Sequence, residues 1–333
     1  MYGTKFLLAE GKDGFTILRA AGNGTEELNI PEEAVGGRVT EVASYAFSDR
    51  IGERDRIERL EKGFWVDEKG GRTEPPDETF EEIQGGRLQK ISLPQSLKRV
   101  GSYAFYNCRI LEKISFFDSL TDLGAGAFTG CHQIKRLQVT CLQGEGSLLR
   151  DLLMELPEEL AVDWSWKEER ARLFFPEFFE EGVENTPARI LENHVHGSGL
   201  SYRNCFYKRS LNFKEYDSLF PKAVAWEREE LLFDLASARL IQPYGMTPEA
   251  EERYREYLEG RFSALAQQFA REERYEELDL LLSKLTVPEP ELLSAVEALS
   301  KEGRIRAVSL LMEYRRRHVQ PISRTERKRR FEL

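Results

Sequence analysis

The chain has 333 residues, 41% hydrophobic and 32% charged, with a formal charge of −10. These figures fit a folded protein rather than a disordered one, and the acidic balance argues against general nucleic-acid binding, because phosphate backbones reward positive charge. The length allows two domains of ordinary size, and four cysteines do not make a disulfide scaffold.

The first elements predicted are strands. Lys5-Phe-Leu-Leu-Ala and Gly14-Phe-Thr-Ile-Leu-Arg-Ala flank the turn signal Gly11-Lys-Asp-Gly, which predicts a terminal hairpin. The opening residues hold no apolar core long enough for a secretory signal, and no run approaches the 18 apolar residues of a membrane span. The chain therefore reads as cytoplasmic and without a membrane partner; an exported protein shorn of its signal is the alternative. Leu28-Asn-Ile-Pro and Val39-Thr-Glu-Val-Ala-Ser-Tyr-Ala-Phe47 introduce a pattern that returns later. Residues 50–86 interrupt it. They are charged, begin with a helical stretch at 51–60, and include Gly70-Gly71 and Pro75-Pro76. An insertion of this kind is expected as a loop on one face of a repeat array, or as a degenerate copy. Coil count and register stay open across it.

Beyond it, one 21-residue phrase is written twice, 23 residues apart. Leu88-Gln-Lys-Ile-Ser-Leu-Pro-Gln-Ser-Leu-Lys-Arg-Val-Gly-Ser-Tyr-Ala-Phe-Tyr-Asn-Cys108 is followed by Leu111-Glu-Lys-Ile-Ser-Phe-Phe-Asp-Ser-Leu-Thr-Asp-Leu-Gly-Ala-Gly-Ala-Phe-Thr-Gly-Cys131, and a third copy begins at Ile134 and stops after Val139. A period of about 20–29 residues with Leu or Ile at its first, fourth and sixth positions indicates stacked leucine-rich coils, which bury their apolar edge only against neighbours. The phrase resembles the BspA-like leucine-rich repeats of bacteria, and the resemblance spans about residues 14–140. It implies a repeat solenoid. Many members are surface proteins, so an adhesin-type role is one reading that the resemblance offers.

After residue 146 the period is lost. Residues 158–184 are acidic and aromatic, with Trp164, Trp166, Phe174, Phe175, Phe178 and Phe179, and residues 185–220 are polar and irregular. From Lys222 the apolar spacing is helical, with Thr247 an N-cap candidate ahead of Pro248, Glu249 and Glu251. Leu292-Leu-Ser-Ala-Val-Glu-Ala-Leu-Ser-Lys-Glu-Gly303 followed by Arg304-Ile-Arg-Ala-Val-Ser-Leu-Leu-Met-Glu-Tyr314 reads as helix, glycine turn, helix. The cadence resembles ankyrin-type helix pairs without the Thr-Pro-Leu-His signature; a generic helical bundle is the plainer alternative. The expected architecture is α+β: a short leucine-rich solenoid of 23-residue period with a hairpin cap over 1–146, a connecting region at 147–220, a helical domain over 221–318 and a basic tail at 319–333.

Motifs of catalysis are missing. The chain has no phosphate loop, no nucleophile elbow and only four histidines. His194 and His196 with Glu192 suit a metal only weakly, and Cys108 and Cys131, at equivalent positions of adjacent coils, read as small buried ladder residues. The chain is thus expected to be non-enzymatic, with no metal and no cofactor. Residues 314–333 hold eight Lys or Arg against Glu326 and Glu332, a net +6 that leaves −16 on the rest. This block suits either a solvated tail and helix-end cations or a contact with nucleic acid or an acidic partner.

Alternation along the repeat strands turns two columns outward: Lys90, Lys113 and Arg136, and beside them Ser92, Ser115 and Gln138. Three cations about 4.8 Å apart repel unless an anion offsets them. The segment 158–184 is one internal source of such anions. The favoured reading is an adaptor or recognition subunit that binds a protein with an acidic surface through this face and through the helical domain. A surface adhesin and a nucleic-acid or acidic-partner binder using the tail are the alternatives.

Overall fold

The computed structural model describes residues 3–23, 27–142, 148–185 and 190–318, in two compact units that divide between Glu227 and Arg228. Together they make an α+β protein whose second unit is helical.

The N-terminal strands β1 (Thr4–Glu10) and β2 (Phe15–Gly22) form the expected antiparallel hairpin, its turn closed by Gly11 N–H donating to Gly14 O at 2.7 Å. After β3 (Glu27–Asn29) and the short β4 (Glu33–Ala34) comes β5 (Gly37–Val42), which runs parallel to β2. The inserted residues then supply α1 (Glu53–Lys62), β6 (Phe64–Asp67) and β7 (Glu81–Glu82). Strand β6 pairs with β1 and β7 with β2, so the insertion adds sheet beside the hairpin instead of forming a loop on the repeat face. Buried Arg19 ties it down: its guanidinium bonds Glu82, Gln84 Oε1 at 2.7 Å and Ser48 O at 2.9 Å.

The repeats follow as β8 (Lys90–Ser92), β9 (Arg99–Val100), β10 (Lys113–Phe117), β11 (Asp122–Leu123) and β12 (Arg136–Cys141). They build two parallel ladders. One runs β3-β8-β10-β12 and the other β2-β5-β9-β11. Leu28 pairs with Ile91 and Val42 with Val100, which settles the open register: no coil intervenes across residues 50–86. Between the ladders the rings of Phe47, Phe105 and Phe128 stack at 5.0 and 4.9 Å, tilted by only 6° and 2°. The loops that carry them are stitched by Phe47 N–H to Ala104 O at 2.8 Å and Phe105 N–H to Ala127 O at 2.9 Å. Glycine is required where the coils pass closest. A Cβ on Gly124 would lie 2.3 Å from Ser102 N, and one on Gly101 2.4 Å from Ser44 N.

The last coil has no successor to receive the N–H of Phe128. Helix α2 (Leu149–Glu155) supplies the acceptor: the Glu155 carboxylate takes that N–H at 3.3 Å, while Leu149, Leu152 and Leu153 are buried. Strand β13 (Leu160–Trp166) then pairs parallel with β12, and β14 (Glu169–Phe175) returns antiparallel to make the sheet edge. Residues 158–184 therefore extend the repeat sheet through β13 and β14, where composition had suggested a connecting region. The edge is partly blocked, because the Tyr216 hydroxyl accepts from Phe174 N–H at 2.9 Å and donates to Phe174 O at 2.7 Å. Strands β15 (Phe179–Asn185) and β16 (Ile190–His196) form a separate two-stranded ribbon. The unit finishes with α3 (Gly199–Arg203), β17 (Phe206–Tyr207), β18 (Ser210–Leu211), α4 (Phe213–Ser218) and α5 (Phe220–Trp226). The helical spacing at Lys222 thus belongs to the first unit, and the expected start of the helical domain at 221 falls seven residues before Arg228, where the second unit begins.

The second unit holds α6 (Glu229–Ile241), α7 (Pro248–Glu259), α8 (Phe262–Arg271), α9 (Tyr275–Leu282), α10 (Glu289–Lys301) and α11 (Ile305–His318). Thr247 caps α7 by accepting from Ala250 N–H at 3.3 Å, with Pro248 in the first turn, as its sequence predicts. The pairs α8-α9 and α10-α11 repeat one geometry 30 residues apart. Glu273 and Gly303 are left-handed, at φ 58° and 70°. Arg274 N–H reaches Phe269 O at 2.8 Å, as Arg304 N–H reaches Leu299 O at 2.9 Å. Among the described residues, no helix is long and apolar enough to cross a membrane.

Candidate binding surface

All six residues singled out from the sequence sit side by side on one sheet. Lys113 pairs with Lys90 on one side and Arg136 on the other, and Ser115 lies likewise between Ser92 and Gln138. The alternating Ile91, Ile114 and Leu137 are buried, with relative exposure of 0–1%, so the polar columns face outward. Parallel pairing at an offset of 23 forces this stacking; the like charges follow from copying the repeat.

The structure also shows what offsets the charges at the two ends. Lys90 Nζ lies 3.9 Å from Glu27, its neighbour in β3. At the other end, Arg136 bonds Asp163 of β13, which also accepts from Arg172 Nε at 2.8 Å. Burial opposes the Asp163 charge, but the two guanidinium groups outweigh it and hold the carboxyl below its usual range. Lys113, at the centre, has no ion-pair partner among the described residues. Neither does Arg170, farther across the same face on β14.

The columns run into a shallow groove of about 620 Å³. Its lining includes Asn29, Arg38, Ser92, Gln95 and Phe117. Sequence reasoning found the repeated cations and named residues 158–184 as an internal source of anions, which Asp163 supplies to Arg136; it missed Glu27, Arg170 and Arg172. For Asp163, Arg170 and Arg172 the signal was the alternation in Val162-Asp-Trp and Arg170-Ala-Arg-Leu, which marks strands without a repeat period.

The other sequence candidates are placed as follows. All four cysteines are buried and unbridged. The Cys131 thiol donates to Phe105 O at 3.0 Å and Cys108 to Phe47 O at 3.5 Å, in line with a ladder role. The Cys108 thiol is pushed well up by its contact with Cys131 and by burial. Burial pushes Cys141 up to about 11 and Cys205 up to about 12. Thiolate is the reactive form, so a maleimide at pH 8 should leave the native protein unlabelled and modify all four sites only in denaturant. Rapid labelling of native Cys108 or Cys131, read by mass spectrometry, would contradict the buried ladder.

Among the described residues no cluster of three or more His, Cys, Asp or Glu side chains could hold a metal ion. The His194 and Glu192 side chains lie outside the described set, while His196 meets Glu181 at 3.3 Å and stacks on Phe179. At the C-terminal end of α11, Arg315 pairs with Glu289 at 2.9 Å and Arg317 with Glu313, cations placed favourably for the helix dipole. The basic residues from 319 onward lie outside the described residues.

Residues 76–143 match the family described as BspA type leucine rich repeat region (6 copies), a class of typically non-enzymatic repeat domain. No curated protein and no solved structure matches the chain. The matched segment contains both written-out copies, the paired strands β8, β10 and β12, and the rings of Phe105 and Phe128. Sequence period, ladder register and family match agree, and this part of the chain is a BspA-type leucine-rich repeat region.

Proposed function

We propose that the chain is a non-enzymatic adaptor or recognition protein in which a short solenoid presents its strand face to a protein partner with an acidic surface. The observation that carries this reading is Lys113, half-buried and without an ion pair among the described residues, between two cations that are already neutralised. An incoming carboxylate is the cheapest way to offset that charge, and it would leave the internal pairs intact. Ser92, Ser115 and Gln138 add hydrogen-bonding groups, and Phe117 an aromatic contact at the groove. The 30-residue helix pairs of the second unit, ankyrin-like in cadence, offer a second surface of the kind that repeat proteins use for binding.

The test is affinity capture from native lysate with the full chain beside Lys113→Glu. Arg136→Glu is unsuitable because it would set a second carboxylate against Asp163. One stoichiometric protein, retained by the wild type and lost with the variant while the melting curve stays within about 0.5 kcal/mol, is the expected result. Equal retention by both chains would refute the strand face as the binding surface.

A further inference from the structure

The ribbon of β15 and β16 pairs with no third strand among the described residues. Its register is unbroken from Phe179 opposite His196 to Asn185 opposite Ile190, a length of about 23 Å. Both legs are fastened at the base. Phe178 N–H donates to Pro157 O at 3.1 Å, and Ser198 donates from N and Oγ to Glu227 Oε1 at 2.7 and 2.6 Å. A two-stranded ribbon in water is marginal by itself, so a surface that receives it adds most of its stability.

The charges of ribbon and strand face are opposite. The two strands contain Glu180, Glu181, Glu184 and Glu192 and no Lys or Arg. Phe179 is 60% exposed next to the first two of these glutamates. The outward face of the repeat sheet carries Lys90, Lys113, Arg136, Arg170 and Arg172 against Glu27 and Asp163, and leaves Lys113 and Arg170 without ion pairs among the described residues. We propose that the acidic ribbon of one copy docks on the cationic strand face of a second copy, where Lys113 and Arg170 offer the charges that the ribbon's carboxylates meet. The proposal rests on the reading of that face as a binding surface and names its occupant. Donor and acceptor are different patches of one molecule, so the contact is head-to-tail and adds copies in series.

Sedimentation velocity on the full chain tests this between roughly 1 and 100 µM, in low and high salt. The wild type should associate as concentration rises, with a dissociation constant at least about tenfold weaker in high salt. Lys113→Glu with Arg170→Glu, and separately Glu180→Lys with Glu181→Lys, should each give monomers. Mixing the two double variants should restore association, because each then meets an opposite charge. A wild type that stays monomeric, or an association that survives both double variants, overturns the proposal. A monomer that still captures a foreign protein through Lys113 overturns self-docking and leaves the binding-face reading standing.

Discussion

Replacing Phe105 with alanine should destabilise the first unit by about 3–5 kcal/mol, the range for truncating a buried phenylalanine. The ring is fully buried and lies between Phe47 and Phe128, so its removal opens a gap with an aromatic face on each side. That gap cannot collapse. The spacing of the coils is fixed by the backbone bonds at Ala104 and Ala127, on either side of the ring, and by the glycine contacts at positions 101 and 124. The two ring pairs are also lost, each worth about 0.5–1.5 kcal/mol beyond the area it buries. Phe105→Leu should recover part of the loss by refilling some of the volume. All four tryptophans precede Arg228, so urea unfolding followed by tryptophan fluorescence reports on this unit without the helical one. A change below about 1 kcal/mol would show that the ring column is not the core of the repeats.

Arg203→Met should produce a loss of similar size, about 3–5 kcal/mol, for a different reason. This guanidinium is completely buried and meets backbone carbonyls. Nε donates to Leu153 O at 2.8 Å, Nη1 to Pro176 O and to Gly199 O at 3.3 Å, and Nη2 to Leu156 O and Glu158 O, both at 2.8 Å. An arginine has five N–H donors, and here they find five acceptors. Burial lowers its pKa to about 10, which still leaves it charged at neutral pH. Methionine has a similar length but leaves those carbonyls without this donor set in the interior, each at a cost of about 1–3 kcal/mol before relaxation. Arg203→Lys should recover less than half, because an ammonium has three donors and no planar fork. The carbonyls come from the end of α2, the approach to β13, the exit from β14 and the start of α3, so the substitution should loosen the cap behind the last coil. The same fluorescence titration checks it; a stable Arg203→Met would mean that the carbonyls find other donors.

The difference between what was legible in the sequence and what was not follows from periodicity. Wherever a residue recurs at 23, its partner could be named beforehand, because a repeated phrase in a parallel ladder pairs each residue with its own copy. Lys113 beside Lys90 and Arg136, and Phe105 beside Phe128, are of this kind. Residues that occur once had no such template. Asp163 lies 27 residues beyond Arg136 and Glu27 lies 63 before Lys90, so the anions that neutralise the column belong to strands outside the written repeats. The β13-β14 pair was obscured by its tryptophans, phenylalanines and glutamates, although its alternation was present. Arg203 gave no signal at all, since five carbonyls gathered from four segments leave no pattern in the order of residues.

Glu155 separates two properties that a repeat protein usually couples. Its carboxylate takes the Phe128 N–H that a further coil would otherwise receive, so the end of the array is marked by a side chain that any coil of the same phrase could meet. The N-terminal hairpin closes the other end without using the 23-residue phrase. Copies can therefore be gained or lost between these fixed ends by duplication or deletion in the gene, with both terminators kept. The length of the strand face, and with it the number of cations presented to a partner, can thus vary across generations independently of the machinery that ends the fold.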